Sequence, residues 1–516
     1  MSKDHGLVAS TRLIAGLTLL SRVLGLAREC TYGYFFGTGP LLSSFRIAFM
    51  IPNLARRLFG EGALSAAFIP IFARALHDPD PEHAPRLAGA VLALLMRVLV
   101  GITLAAEVAL LVAYYFRPGD TLRLTAIMFP FMAFICLAAF LGGLLNALGR
   151  FGAPAASPMI LNALVMAAII LGSIAAGLSQ RALIDAACGA VLLAGVGQVG
   201  LQVWALRQTG FRPVLQPEWS HPEIREIVAF MTPMIVGLST VQINTMLDKL
   251  IALFLVPDGR GPAVLGYAHF LYQLPLGVFG IALATAIFPV LSHHAADGDR
   301  DGLRRTIERG LRLSFFISLP ATVGLILVSQ PLVAALFERG EFDAAGTTRV
   351  SDAVIYYVMG LCAYSIAHIL VRAFYALKDA RTPVRVSVVM VLVNLTLNLA
   401  LVGPMREAGV ALATAISATL QVAILIVLLD RRLGGLDYAT LLGGALKTCA
   451  ACVAMGVVVW LLAADGSPLG VASSPAVVKV CLAVPAGCLA MGLASSVLRI
   501  PELGQLLRRE RGPRIC

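Results

Sequence analysis

Charged residues are scarce in this chain. Asp, Glu, Lys and Arg make up 13% of its 516 residues, while 59% of the residues are hydrophobic. Soluble domains carry about 25% charged residues, because their water-facing surfaces need them. The mean hydropathy of +0.86 agrees with this shortage. The composition therefore excludes a soluble enzyme and predicts a protein embedded in a lipid bilayer.

Catalytic and nucleotide-binding motifs are missing as well. The sequence has no Walker motif, no HExxH and no nucleophile paired with a base. The run GVGQVG at 195–200 matches G-x-G-x-x-G, but no strand precedes it. Close helix packing through glycine explains this run better than nucleotide binding. We therefore expect that the chain is not an enzyme and needs no organic cofactor.

Cysteine clusters are also lacking. The nine cysteines are scattered, mostly in apolar runs, where they behave as small buried hydrophobes. Cys449 and Cys452 have C-x-x-C spacing, but no second pair or histidine cluster accompanies them, so we expect no metal or redox site there. Arg12 and Arg22 interrupt the first apolar stretch, which therefore does not resemble a cleaved signal peptide.

Long apolar runs are what the chain has in abundance. Runs of about 20 residues match the hydrocarbon thickness of a bilayer. Alternation of period two is absent, which favours helices over a barrel. We predict an all-α polytopic membrane protein with about 14 transmembrane helices. They are expected at 7–27, 34–58, 87–116, 121–148, 155–178, 182–207, 226–256, 263–292, 311–336, 351–377, 384–403, 406–429, 440–463 and 474–498.

Basic residues orient these segments. They concentrate at both termini and in the even-numbered connections, one of which holds Arg300, Arg304, Arg305 and Arg309. The odd-numbered connections hold few. The positive-inside rule then puts both termini in the cytoplasm. This asymmetry explains most of the net charge of +11, so we expect no nucleic-acid partner.

Two motifs repeat along the chain. A Pro…Phe-Gly pattern at 52–60 returns at 275–280, and A-L-x5-P at 147–154 returns at 376–383. The offset corresponds to six helices, and an even number gives two halves in the same orientation, as in transporters built from parallel repeats. We predict two six-helix lobes plus two extra helices, with domains at 1–210, 211–432 and 433–516.

Several charges occur inside the first two helices, where charge is expensive. A charged side chain at the bilayer centre costs about 2.5–3.5 kcal/mol on insertion scales. Arg28, Glu29, Arg56 and Arg57 could each extend to an interface, whereas apolar sequence flanks Arg22 and Arg46 on both sides. Guanidinium groups bind phosphate oxygens bidentately. The arginines therefore predict an anionic, phosphate-bearing substrate.

A second set of polar residues contains no basic side chain. Asp248 lies in the seventh predicted helix, Asn394 and Asn398 are one turn apart in the eleventh, and Thr414 is in the twelfth. Their oxygens suit a small hard cation. Interhelical hydrogen bonding is the alternative explanation.

Four motifs resemble those of the MurJ (MviN) family, whose members flip the lipid-linked peptidoglycan precursor lipid II. They are SRVLGLARE at 21–29, IPNLARRLFGEGA at 51–63, LYQLPLGVFG at 271–280 and FYALKDARTP at 374–383. The resemblance covers nearly the whole chain, in the right order. It implies two lobes around a cationic cavity, with the last two helices forming a lipid-facing groove.

The resemblance also implies roles for particular residues. The family's functional arginines match Arg22, Arg28, Arg56 and Arg57. Together with Arg46, which would restore positive charge from the first lobe, and with Glu61 and Gln273, they form the expected substrate-binding set. Family members can hold a sodium ion through residues that match Asp248, Asn394, Asn398, Val410 and Thr414. Lipid II and the bilayer are the expected partners, and we expect a monomer in the bacterial inner membrane.

Three positions depart from the family pattern. Asn398 stands where the pattern has an aspartate, which weakens the cation site electrostatically. Ser43 stands where the family usually has an acidic residue. Phe270, preceded by His269, stands where the family has an arginine just before LYQLP. These changes leave open a different substrate or coupling ion.

Our interpretation is a lipid II flippase that works by alternating access without ATP hydrolysis. One alternative is a flippase for another polyprenyl-pyrophosphate-linked glycan. Another is a cation-coupled drug exporter, which should present carboxylates rather than arginines in its cavity. A third is a scaffold that has lost transport, for which Phe270 and Ser43 are the only hints.

Overall fold

The computed structural model describes residues 2–56, 63–215, 222–463 and 474–507. These residues are helical almost throughout and contain no β-strand. The all-α prediction is therefore confirmed. In a bilayer, a helix satisfies every backbone polar group within its own segment, which explains why a chain this apolar is built from helices.

The first compact unit is Met1–Met246. Its helices are α1 (Ser2–Phe36), α2 (Pro40–Ala55), α3 (Ala63–Ala75), α4 (His83–Phe116), α5 (Asp120–Met128), α6 (Phe131–Ala147), α7 (Gly152–Ile174) and α8 (Gln180–Gln208), followed by most of α9 (Pro222–Leu255). Its core includes a stack of Phe68, Phe72 and Phe140, packed with Leu87 and Leu144.

The second unit is Leu247–Cys516. After the end of α9 come α10 (Gly261–Pro275), a π-helix (Leu276–Ile281), α11 (Ala282–Ala296), α12 (Arg300–Phe337), α13 (Ala344–Met359), α14 (Leu361–Ala376), α15 (Arg381–Leu433), α16 (Tyr438–Ala463), α17 (Ala476–Val497) and α18 (Pro501–Leu507). Helices α16 and α17 pack against α12 through a core that contains Phe316, Val328 and Met455. The predicted domain boundaries stay predictions.

Membrane-spanning helices can be counted only within the described ranges. There, nine helices are long and apolar enough to cross a bilayer, or ten if the bent pair α13 and α14 forms one span. The count of about 14 stays a prediction. Helix α1 extends beyond residue 27, where the first predicted segment ends, to Phe36. The helix ends only at Gly37, whose positive φ of 56° an L-residue adopts at a cost.

The backbone supports the internal repeat. Helices α6 and α14 both end at an alanine followed by a leucine, and the next residue is left-handed in each case: Gly149 at φ 74° and Lys378 at φ 59°. The following amide donates to a carbonyl five residues back in both copies, Arg150 to Leu145 and Asp379 to Phe374. The same helix-ending motif thus closes both A-L-x5-P segments.

Lys378→Gly should stabilise the protein and Gly149→Ala should destabilise it, each by about 1 kcal/mol. Lys378 is exposed, and a Cβ added at Gly149 would meet no atom within 4 Å. Each substitution therefore changes only the free-energy cost of the left-handed backbone conformation. Thermal unfolding in detergent measures both effects. Gly189→Ala, in the open middle of α8, is the matched control and should not be destabilised; equal losses at 149 and 189 would contradict the explanation.

Candidate functional site

Arg28 and Arg46 share one buried carboxylate in the first unit. Glu29 is only 3% exposed. Its Oε1 accepts from Arg28 at 2.9 Å, and its Oε2 accepts from Arg46 at 2.7 Å. The short turn around Gly37 and Gly39 brings α1 and α2 together. Two guanidinium groups and one carboxylate leave this cluster with a net positive charge.

Tyr32 completes the cluster. Its ring lies 5.6 Å from the Arg28 guanidinium carbon and 5.9 Å from that of Arg46, so both cations face an aromatic ring. Ser43 is fully buried on α2, one turn before Arg46. An acidic residue at 43 would lie one turn from Arg46 on the same helix. In this chain Glu29 reaches Arg46 from α1 instead.

Two other predicted arginines, Arg22 and Arg56, have different surroundings. Arg22 is exposed on α1, and its separation of six residues from Arg28 turns the helix so that the two side chains point about 120° apart. Arg56 donates from Nε to Asn53 Oδ1 at 3.0 Å, at the end of α2. Arg57 and Glu61 lie outside the described residues.

Glu29 is the residue that sequence reasoning missed. The sequence allows Glu29 to extend to an interface, and it is not one of the expected substrate-binding residues. Charge balance is the signal in the sequence that could have identified Glu29. Arg46 has apolar neighbours and no acid at position 43, so it needs an acid from another helix. Such a partner can be inferred from the sequence only by counting charges across two helices.

Gln273 and Phe270 lie on α10 in the second unit. The Gln273 side chain is exposed and Phe270 is half-buried. His269 packs edge-on against Tyr272, with 5.0 Å between ring centroids, and Tyr272 lies beside Tyr357 at 4.8 Å. Aromatic side chains therefore lie beside position 270, where the family has an arginine.

The predicted cation ligands meet in the second unit. Asn398 Nδ2 donates to Asp248 Oδ1 at 2.6 Å and to Asn394 Oδ1 at 2.8 Å. Thr414 Oγ1 lies 3.2 Å from Asp248 Oδ2 and 3.0 Å from the Val410 carbonyl oxygen. Asp248, Asn394, Asn398 and Val410 are buried. Both the cation and the hydrogen-bonding interpretations predicted this convergence, so the contacts alone do not choose between them.

One oxygen in this group lacks a partner. Asn398 Oδ1 is buried and has no hydrogen-bond partner within the described part of the chain. A buried acceptor without a donor is costly, and a cation is one way to satisfy it. Among the described residues, no group of three or more His, Cys, Asp or Glu side chains is arranged to hold a metal. The donor set is thus one carboxylate with neutral oxygens.

Apolar helices in two units, with paired arginines in one unit and a buried carboxylate–amide cluster in the other, define a multi-helix membrane transporter. Solved structures share this fold. "Lipid II flippase MurJ, inward closed conformation" matches with a TM-score of 0.77 and 23% identity, covering 94% of this chain and 99% of that one. An inward-facing MATE family multidrug transporter of the MOP superfamily matches with a TM-score of 0.70 and 16% identity, covering 82% and 98%.

Sequence comparison gives the family. The profile described as lipid II flippase MurJ matches residues 32–478. The chain is 34% identical over 463 residues to "Probable lipid II flippase MurJ" of Rhizobium tropici, covering 87% of this chain and 86% of that protein. It is 33% identical over 434 residues to "Lipid II flippase MurJ" of Burkholderia cenocepacia, covering 81% and 83%. The chain belongs to the MurJ family, which confirms the resemblance found in its motifs.

Glu29→Gln should lower the free energy of unfolding by about 3 kcal/mol, because it leaves two half-buried guanidinium groups without their shared carboxylate. The double variant Glu29→Gln/Arg46→Gln should recover much of that loss, since one cation leaves with the anion. Thermal unfolding in detergent measures both. Asp80→Asn, at an exposed ion pair with Arg86, is the control and should change little. A double variant no more stable than Glu29→Gln would contradict the charge balance.

Proposed function

We propose that this protein flips lipid II from the cytoplasmic to the periplasmic leaflet of the bacterial inner membrane by alternating access. Its membership of the MurJ family is the observation that carries this proposal. The positively charged cluster of Arg28, Arg46 and Glu29 supports it, because a pyrophosphate needs cationic partners. The two termini would lie in the cytoplasm, and the protein would act as a monomer.

The binding roles follow from the chemistry of each side chain. Arg28 and Arg46 would hold the pyrophosphate, with Arg22, Arg56 and Arg57 adding positive charge along its path. Glu61 and Gln273 would accept or donate hydrogen bonds to the sugar groups. Glu29 would keep the two clustered guanidinium groups in place rather than bind substrate itself. Binding and conformational change suffice for transport, so the chain would catalyse no covalent reaction.

Another lipid-linked glycan remains the main alternative, because the pyrophosphate is common to such substrates. A drug exporter is less well supported. Its cationic substrates would need free carboxylates, and Glu29, the carboxylate beside the arginines of the first unit, is already engaged by Arg28 and Arg46. The likeness to a MATE transporter concerns the fold alone.

Complementation of a bacterium depleted of its lipid II flippase tests this function. The parent protein should restore growth. Arg28→Ala or Arg22→Ala should abolish it at normal membrane levels, since each charge-assisted hydrogen bond to phosphate contributes about 1.5–3 kcal/mol. Arg181→Ala, at an exposed arginine in the same unit, is the control and should complement. Failure of the parent protein at normal expression, or full growth with both alanine variants, would count against the proposal.

We further propose that Asp248, Asn394, Asn398, Val410 and Thr414 hold a sodium ion. The unpartnered Asn398 Oδ1 supports this, as does the single carboxylate among neutral oxygens. Calcium sites normally use more carboxylates, so a monovalent cation fits better. A bound cation shifts a conformational equilibrium only through its different affinities for the two states.

Sodium should change the balance between inward- and outward-facing states modestly, and Asp248→Asn should remove this effect. A tenfold difference in affinity corresponds to about 1.4 kcal/mol, which shifts populations without locking one state. The measurement is labelling of single cysteines in a variant without the nine native ones, with sodium exchanged for potassium at constant ionic strength. Asp379→Asn, at an ion pair elsewhere in the second unit, is the control. An unchanged sodium response in Asp248→Asn would exclude this site.

A further inference from the structure

Arg349 binds two carboxylates that come from distant parts of the chain. It lies in the second turn of α13. Its Nη1 donates to Asp258 Oδ2 at 2.5 Å and its Nη2 to Asp258 Oδ1 at 3.3 Å. Its Nε donates to Glu407 Oε1 at 2.6 Å and its Nη2 to Glu407 Oε2 at 2.9 Å. One planar guanidinium therefore bridges both groups bidentately, which a lysine could not do.

Glu407 is the buried member of this bridge. It is 2% exposed and directly follows the break in α15 at Arg406, where φ is 53° and ψ is −137°. The chain is tightly packed at this break, since a Cβ added at Gly409 would lie 2.3 Å from the Leu401 carbonyl oxygen. A buried carboxylate needs a partner, so Arg349 fixes where the second part of α15 begins.

Asp258 joins the bridge from the end of α9. It lies three residues after Leu255, in a turn so close that a Cβ added at Gly261 would meet the Ala252 carbonyl oxygen at 2.6 Å. Burial acts to raise the pKa of Asp258, but the hydrogen bonds and charge of Arg349 outweigh it and lower that pKa. The carboxylate is therefore ionised at neutral pH, and Arg349 holds it.

The same two helices meet again about two turns away. Thr414 lies seven residues after Glu407 on α15, and Asp248 lies ten residues before Asp258, which follows the end of α9 by three residues. Seven residues of helix rise about 10 Å. The contact between Thr414 and Asp248 and the bridge through Arg349 are thus two cross-links between antiparallel segments.

Glu407, Val410 and Thr414 also lie on one face of the helix, at i, i+3 and i+7. A shift of Glu407 therefore moves the Val410 carbonyl and the Thr414 hydroxyl in the same direction. Two points of attachment define the separation and tilt of α9 against the second part of α15, whereas one point leaves the tilt free.

We propose that Arg349 is a positioning residue for the polar cluster at Asp248. By holding Asp258 and Glu407 together, it sets the spacing between Asp248 on α9 and the Val410 and Thr414 oxygens on α15. For cation binding this inference rests on the sodium site proposed above; for the geometry of the cluster it stands on the contacts themselves. Arg349 does not touch the cluster and acts only through the two helices.

The test uses the full-length protein and two bridge variants. Asp258→Asn is the first choice, because the Asp258 side chain is 37% exposed and its replacement leaves the buried pair of Arg349 and Glu407 intact. Arg349→Lys keeps the charge but loses the bidentate bridge. Asp379→Asn breaks the ion pair with Arg432 at 2.6 Å and is the matched control. Sodium is titrated against potassium at constant ionic strength while thermal unfolding in detergent is followed.

Both bridge variants should raise the sodium concentration needed for half of the stabilisation by about tenfold, as removal of an outer-shell partner does in other metal sites. Asp379→Asn should leave it unchanged. If both bridge variants keep the parent's midpoint while Asp248→Asn loses the sodium response, the inference is overturned and the sodium site stands.

A second measurement decides the inference without sodium. Unfolding temperatures of Asp258→Asn, Thr414→Val and the double variant form a mutant cycle. Sites about 10 Å apart with no shared partner should be additive. We expect a departure from additivity larger than the replicate error, because the two cross-links constrain the same pair of helices. If the parent shows no sodium response, the sodium site fails; non-additivity would then support the positioning role and additivity would overturn it.

Discussion

The cost of placing charge among apolar helices is the constraint on which the rest of this structure depends. Each charge that leaves water must be matched by an opposite charge or by several hydrogen bonds. Two clusters among the described residues meet this requirement with arginines that contact shared or paired carboxylates. Glu29 serves Arg28 and Arg46 in the first unit, and Arg349 serves Asp258 and Glu407 in the second. These contacts join helices that the apolar core alone would leave free to slide.

The same constraint applies to the backbone. A helix satisfies its own amides and carbonyls, so departures from helical geometry are confined to places with other partners or close packing. The break at Arg406 is followed at once by Glu407, which Arg349 binds. The π-helix after Pro275 packs against α14, where a Cβ added at Gly280 would lie 2.8 Å from Ser365 Oγ and where Arg372 Nη1 donates to the Ile281 carbonyl at 3.3 Å. Irregular backbone in the second unit thus coincides with polar contacts between helices.

Periodicity and composition could predict the helices, because hydrocarbon thickness sets their length whatever their neighbours are. The repeat could also be predicted, since local hydrogen bonding ends α6 and α14 in the same way.

The ion pairs were harder to predict. Arg349 is 91 residues from Asp258 and 58 from Glu407, and Glu29 is 17 from Arg46. No local pattern connects residues at such separations. The family resemblance and the oxygen-bearing side chains predicted that polar residues would converge at Asp248. The roles of these residues and of the substrate-binding residues depend on bound ligands, which side-chain contacts alone do not identify.

Asn398 shows how one substitution can change the behaviour of a whole cluster. An aspartate at this position would place a second carboxylate against Asp248, and two adjacent carboxylates repel unless a cation or a proton lies between them. The amide instead points its Nδ2 between Asp248 and Asn394 and donates to both oxygens. The partial positive charge of the amide thereby stabilises the cluster with no cation present. A cation entering here must displace these hydrogen bonds, so its net binding energy is the gain from contacting Asn398 Oδ1 and the other oxygens minus the loss of those bonds. A site of this kind favours weak binding and a modest bias between conformations. It is sensitive to spacing, because a small separation of α9 from α15 moves Asp248 away from the oxygens of Asn398, Val410 and Thr414.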